Sequence, residues 1–72
     1  MQEVVEAPLP GKVVSVNVAV GDVVDEDAVV CTIEAMKMEN PILSLVKGTV
    51  KELAVSPGVN VKTGAKIAVI EY

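Results

Sequence analysis

Gly11-Lys12-Val13-Val14-Ser15-Val16-Asn17-Val18 returns thirty-seven positions later as Gly48-Thr49-Val50-Lys51-Glu52-Leu53-Ala54-Val55. The same offset aligns Gly11–Ala35 with Gly48–Tyr72, giving eight identities in 25 pairs. Gly21 meets Gly58, Ile33-Glu34 meets Ile70-Glu71, and Val16 and Val30 meet Leu53 and Ile67. A repeated segment is a unit that cannot bury its apolar face alone, so the two copies must pack on each other.

Each copy reads as a series of short strands. Val13–Val18 or Val50–Val55 ends at a turn, Val20-Gly21-Asp22 or Ser56-Pro57-Gly58, suited to positive φ at the glycine. A short strand follows at Val23-Val24 or Val59–Val61, then a polar turn, Asp25-Glu26-Asp27 or Lys62-Thr63-Gly64, then a last strand at Ala28–Glu34 or Ala65–Glu71. Asp27 aligns with Gly64, and Asp tolerates the left-handed region that a glycine would occupy there. Val13 and Val16 are out of phase for a plain strand, as are Val50 and Leu53, which predicts at the same place in both copies a bulge, or a bend where the strand changes sheets. The expected fold is all-β. It is a flattened antiparallel barrel or sandwich of two four-stranded sheets with pseudo-twofold symmetry.

Composition supports this reading. Val and Ile supply 21 of the 72 residues, Leu only four, and Phe and Trp are absent. β-branched side chains are stiff at χ1 and pack well on pleated surfaces. The length fits one domain, 1–72, with pseudo-repeats 11–35 and 48–72. No His and no Arg are present, so the chain holds no imidazole base, no Cys-His or Ser-His pair and no guanidinium fork. Neither a catalytic residue nor a metal ligand set is expected. A net charge of −4 repels nucleic acid and anionic membrane surfaces, so neither is an expected partner. The single Cys31 has no disulfide partner in the chain, and Met1–Glu6 shows no basic, apolar leader pattern. A cytoplasmic location is the corresponding expectation.

Between the copies lies Met36–Pro41, a segment expected to have no counterpart in the other half. If Thr32–Ala35 pairs with Ile42–Leu45, the turn lies near Met36–Asn40, and 36–41 forms a hairpin tip carrying Met36-Lys37-Met38. The chain termini then belong to the symmetry-related strand ends and emerge far from the tip.

Glu34-Ala35-Met36-Lys37-Met38-Glu39-Asn40 resembles the attachment motif of biotinyl domains, the carrier modules of biotin-dependent carboxylases, decarboxylases and transcarboxylases. The resemblance covers nearly the whole chain. It includes Ala7-Pro8-Leu9-Pro10-Gly11, Val20-Gly21-Asp22 and Gly48-Thr49-Val50, without the protruding insertion of some bacterial carriers. Two features depart from it: Ser44-Leu45 stands where members often have Ala-Pro, and Pro41 follows Asn40 directly. The resemblance implies a biotinyl/lipoyl-like barrel-sandwich hybrid with biotin joined by an amide to Lys37, flanked by Met36 and Met38 and preceded by Glu34 and Ala35. It implies a non-catalytic carboxyl carrier served by a biotin protein ligase and working with a biotin carboxylase and a carboxyltransferase or decarboxylase.

Other readings of the same residues stay open on sequence alone. Lys37 is a solvated turn lysine if nothing recognises the tip, which makes the chain a structural or interaction domain. A lipoyl carrier shares the barrel, although lipoyl sites usually carry Asp-Lys-Ala where this chain has Met-Lys-Met. Met36 and Met38 either fold back as core filler or remain out for a partner. Glu34 and Glu39 serve either recognition or solubility. Cys31 reads as a small buried hydrophobe, and Asp25-Glu26-Asp27 lacks calcium-loop spacing.

Overall fold

The computed structural model describes residues 1–72 and contains eight strands and no helix. In chain order they are β1 (Gln2–Glu6), β2 (Gly11–Val16), β3 (Val23–Val24), β4 (Val29–Ala35), β5 (Met38–Leu43), β6 (Gly48–Leu53), β7 (Asn60–Val61) and β8 (Lys66–Glu71). They form two four-stranded antiparallel sheets, ordered β1-β8-β6-β3 and β5-β4-β2-β7. The offset of the sequence repeat turns one order into the other: β5, β4, β2 and β7 are the counterparts of β1, β8, β6 and β3.

The main-chain bonding repeats with it. Val13 N donates to Val59 O and Gly58 N to Val13 O, just as Val50 N donates to Asp22 O and Gly21 N to Val50 O. Ala7 and Ser44 are matched in the same way. Ala7 bonds to Ala65 and Gly64, and Ser44 bonds to Ala28 and Asp27. The register slips between Val13 and Ser15 and between Val50 and Glu52, so the expected bulges fall on Val14 and Lys51. Gly21, Gly58, Gly64 and Asp27 all have positive φ, Asp27 at 71° beside 84° for its counterpart Gly64.

The core has the same symmetry. Val5 and Ile42, Val13 and Val50, Val24 and Val61, Val30 and Ile67, Cys31 and Ala68, and Ile33 and Ile70 are buried counterparts in one cluster. Each fully buried Val or Ile contributes about 1.5–3 kcal/mol relative to exposure, and most of the larger ones here lie on the central strands. Ser44 is the one buried polar side chain, and its Oγ donates to Val46 O at 2.6 Å. Cys31 is fully buried, and burial pushes its thiol above the ordinary value of 9.0. It is core filler.

Two expectations about the joining segment change. The segment after the turn is β5, and its counterpart is β1, a strand the repeat alignment did not include because Gln2–Glu6 and Glu39–Leu43 share no identical residue. The register also differs from Thr32–Ala35 against Ile42–Leu45. Thr32, Ile33, Glu34 and Ala35 pair with Pro41, Asn40, Glu39 and Met38. The tighter register brings the buried Ile42 opposite Cys31, where both fill the core. Because β5 is an edge strand, Pro41 sits in it without breaking the sheet, its missing N–H costing no ladder bond on the free edge.

β1 runs from the chain terminus to Glu6, and residues 7–10 carry the chain across to Gly11 in the other sheet, next to Lys12 and its partner Glu34. That end of the molecule holds the hairpin turn. Met1 and Tyr72 pair at the other end of β1, where each main-chain N donates to the other residue's O at 2.8 Å. The molecule measures 33 × 17 × 17 Å.

Candidate functional site

β4 and β5 are joined by two residues, Met36 and Lys37, with φ of 54° and 66°. Positive φ at both central positions is the signature of a type I′ turn, whose twist matches that of the flanking strands and which normally takes Asn-Gly. A side chain forced into this region costs about 1–2 kcal/mol per residue. The turn is therefore narrower than the 36–41 tip expected from sequence, and it is held in place by what lies beneath it. Three register pairs, Ala35–Met38, Glu34–Glu39 and Ile33–Asn40, zip the strands up to the turn. The Asn40 amide Nδ2 donates to Met38 O at 3.2 Å and to Ile33 O at 3.5 Å.

Gly11 fixes the hairpin from the neighbouring strand. A Cβ at this position would lie 2.5 Å from both Glu34 O and Ile33 Cγ2, so only glycine lets β2 approach β4 this closely. The two ends of the hairpin thus differ in character: Ile33 and Ile42 are locked in the core, and the turn stands beyond it.

Lys37 is exposed and takes part in no hydrogen bond or ion pair. Met36 is 92% and Met38 67% exposed, so neither folds back as core filler. Met38 shares a face of β5 with the buried Ile42, but four residues further along, past the end of the core. Ala35 is half-buried and closes the turn against Met38. An amine flanked by two solvent-facing thioether side chains is an apolar landing area with one nucleophile at its centre. No pocket surrounds it, so nothing desolvates the amine as a Schiff-base lysine requires.

Directly below, Glu34 and Glu39 face each other across the strands, both exposed. Their counterparts show what is unusual. Glu71, the counterpart of Glu34, lies 3.2 Å from Lys51, and this bond and charge hold its carboxyl below the ordinary value of 4.5. At the hairpin end the position of Lys51 is taken by Val14, and that of Gln2 by Glu39. One half ion-pairs its acid to Lys51; in the other, Glu34 stands between Glu39 on β5 and Lys12 on β2 and is ion-paired to neither.

Sequence reasoning placed Lys37, Met36 and Met38 on the turn and Glu34 and Ala35 on the strand leading to it. It did not single out Gly11 or Asn40 as supports. The pairing of Gly11 with Gly48 was the available signal for the first. Nothing in a single sequence shows that an amide on β5 bonds back across the turn.

Comparison with known proteins places this geometry among relatives. Residues 3–70 match the model of a family described as biotin-requiring enzymes. The biotin carboxyl carrier protein of Streptococcus mutans is 44% identical over 64 residues, covering 89% of this chain and 49% of that protein. The human mitochondrial propionyl-CoA carboxylase alpha chain is 41% identical over 68 residues, 94% of this chain and 9% of that one. The crystal structure of Kluyveromyces lactis urea carboxylase superposes with a TM-score of 0.92 at 31% identity, over 99% of this chain and 6% of that chain. The chain thus spans about half the length of the bacterial relative and a small part of the two carboxylases.

Proposed function

This chain belongs to the family of biotin-requiring enzymes, and from that premise we propose that it is a non-catalytic biotin carboxyl carrier whose biotin is joined to Lys37. The observation that carries the site is the turn itself: an exposed amine at a two-residue apex, free of ion pairs and set between two outward methionines. The residues fit the group. A lysine to be acylated must enter another protein's active site, which a protruding apex allows and a groove would forbid.

Lys37 would hold biotin through an amide on its Nζ, formed by a biotin protein ligase with ATP: the amine would lose a proton as the amide bond forms, and the group activating the biotin carboxyl would leave with the electron pair of the bond it breaks. Bound biotin supplies a ring nitrogen that carries a carboxyl group. The chain's own residues do the rest. The Lys37 stem and the attached acyl chain give a reach of about 14 Å. The strained turn over a fixed Gly11 support holds the base of that arm still. Met36 and Met38 offer apolar contact to whichever enzyme receives the tip.

The partners of this reading are the ligase, a biotin carboxylase and a carboxyltransferase or decarboxylase. They are supported by carboxylase relatives that are much longer than this chain. Tethering the carrier to such partners raises the effective concentration of the arm at each site. A reducing cytoplasm or organelle matrix suits the lone thiol.

Intact mass spectrometry after incubation with a biotin protein ligase, ATP and biotin tests the assignment. One biotinyl group is expected on the parent chain and none on Lys37→Arg. Equal labelling of Lys37→Arg, or no labelling of the parent, overturns it. A parallel incubation with a lipoate ligase is expected to leave the mass unchanged.

A further inference from the structure

Away from the hairpin turn, a groove of about 240 Å³ runs between β1 and β5, the edge strands of the two sheets. Its walls are related by the sequence repeat. Val5 and Ile42 are buried in its floor, and Val4 is matched by Pro41, Glu6 by Leu43 and Pro8 by Leu45. The symmetry acts as an internal control. On β1 the wall keeps Glu3 and Glu6, whereas the β5 wall has become wholly apolar, with Leu45 67% exposed. Leu43 continues that apolar surface onto Val29, its register partner on β4, where the counterpart residue is Lys66, ion-paired to Glu52. At two matched positions one half carries charge and the other apolar surface: Glu6 against Leu43 and Lys66 against Val29.

We infer that this groove is a docking site for an extended segment of a partner protein that alternates apolar and basic residues. Three observations select that occupant. Neither Glu3 nor Glu6 forms an ion pair, and Lys66, the register partner of Glu6 on β8, is taken by Glu52. β1 bonds to β8 alone and has no proline in Gln2–Glu6, so its outer edge accepts a further strand, whereas Pro41 interrupts the edge of β5. The groove is also continuous with the attachment hairpin, because β5 forms both, so a segment seated there holds the carrier beside the enzyme its tip enters. Apolar side chains of the added strand rest on Pro41, Leu43 and Leu45, and flanking Lys or Arg side chains meet Glu3 and Glu6. A second copy of this chain is disfavoured as occupant by its net charge of −4.

The site is tested on the Lys37→Arg chain, so that the result is independent of biotinylation. The probe is a capped synthetic peptide of about seven residues alternating Lys and Val, titrated into isotope-labelled protein and followed by backbone amide NMR shifts. Saturable shifts are expected at Glu3–Glu6 and Ile42–Leu45, weakening as salt is raised. Leu45→Gln, at an exposed position that leaves the fold intact, is expected to weaken binding about tenfold, and Glu6→Gln to reduce the salt dependence. The proposal is overturned by any of four results. These are no shifts up to the solubility of the peptide, equal binding of a Glu-Val peptide, shifts confined to Glu34–Asn40, or concentration-dependent shifts of the groove residues without peptide, which would assign it to a second copy.

Discussion

Glu34 and Glu39 face each other across β4 and β5, one register step below the Ala35–Met38 pair that closes the turn, and no cation bridges them. Like charges directly opposite on a sheet are destabilising, so this pair is held against its own repulsion by the zipped strands around it. It gives the tip an acidic collar that a partner with basic residues is able to neutralise.

Removing that repulsion stabilises the domain. Glu39→Gln is expected to raise the stability at neutral pH by about 0.2–1 kcal/mol, more at low salt than at high salt. Val14→Lys, which installs the residue that Glu71 enjoys at the counterpart position, is expected to act in the same direction by up to about 1 kcal/mol. Urea denaturation at two ionic strengths measures both, and a loss of stability in either variant at low salt contradicts the electrostatic account.

The turn stores strain that a better turn residue releases. Met36→Asn places a residue tolerant of positive φ where the backbone already sits at 54°, and about 1 kcal/mol of stabilisation is expected. The same change deletes an apolar flank of Lys37, so ligase-catalysed biotinylation is expected to slow while the melting temperature rises. A variant that melts lower would show that Met36 makes a contact worth more than the strain.

Gly11 is a packing position rather than a turn position. Gly11→Ala forces a methyl group against Glu34 O and Ile33 Cγ2, and a cost of about 1–3 kcal/mol is expected as β2 and β4 move apart. Gly48→Ala meets Glu71 O and Ile70 Cγ2 in the same way at the opposite end. Both variants are expected to lose stability, but only Gly11→Ala, which lies under the hairpin, is expected to change the amide shifts of Met36–Met38.

Acid titration separates the two halves. The carboxyl of Glu71 is held below 4.5 chiefly by its hydrogen bond and charge interaction with Lys51. A lowered carboxylate value in the fold means a contribution that is complete above pH 4.5 and disappears as pH falls through the folded value. Lys51→Val, which copies Val14 from the other half, is expected to lower stability slightly above pH 4.5, as suits an exposed pair, and to leave it unchanged once Glu71 is protonated, so that the fall of stability below pH 4.5 becomes shallower by that same small amount. An unchanged acid limb would remove Lys51 from the account.

Much of this molecule was legible because its sequence is written twice. The Gly11/Gly48 and Gly21/Gly58 pairs, the shared phase slip at Val14 and Lys51, and Asp27 standing for Gly64 are local requirements of backbone geometry, and each recurs at the same offset. β1 and the register of β5 were not legible. Strand pairing is a non-local choice made by whichever residues reach the core, and Gln2–Glu6 shares no identity with the segment it mirrors. The groove and the unbalanced Glu34–Glu39 pair belong to the same category.

The sequence by itself determined the kind of fold and the place of Lys37 at a hairpin tip between two strands, because strand periodicity and turn chemistry act over neighbouring residues. Only the tertiary structure decided that both methionines stand outward, that Gly11 and Asn40 support the turn, and that β1 and β5 leave an apolar groove between them. These depend on which residues meet across the sheets, and side chains far apart in the chain acquire a shared environment only once the core has closed around Ile33, Ile42, Ile67 and Ile70.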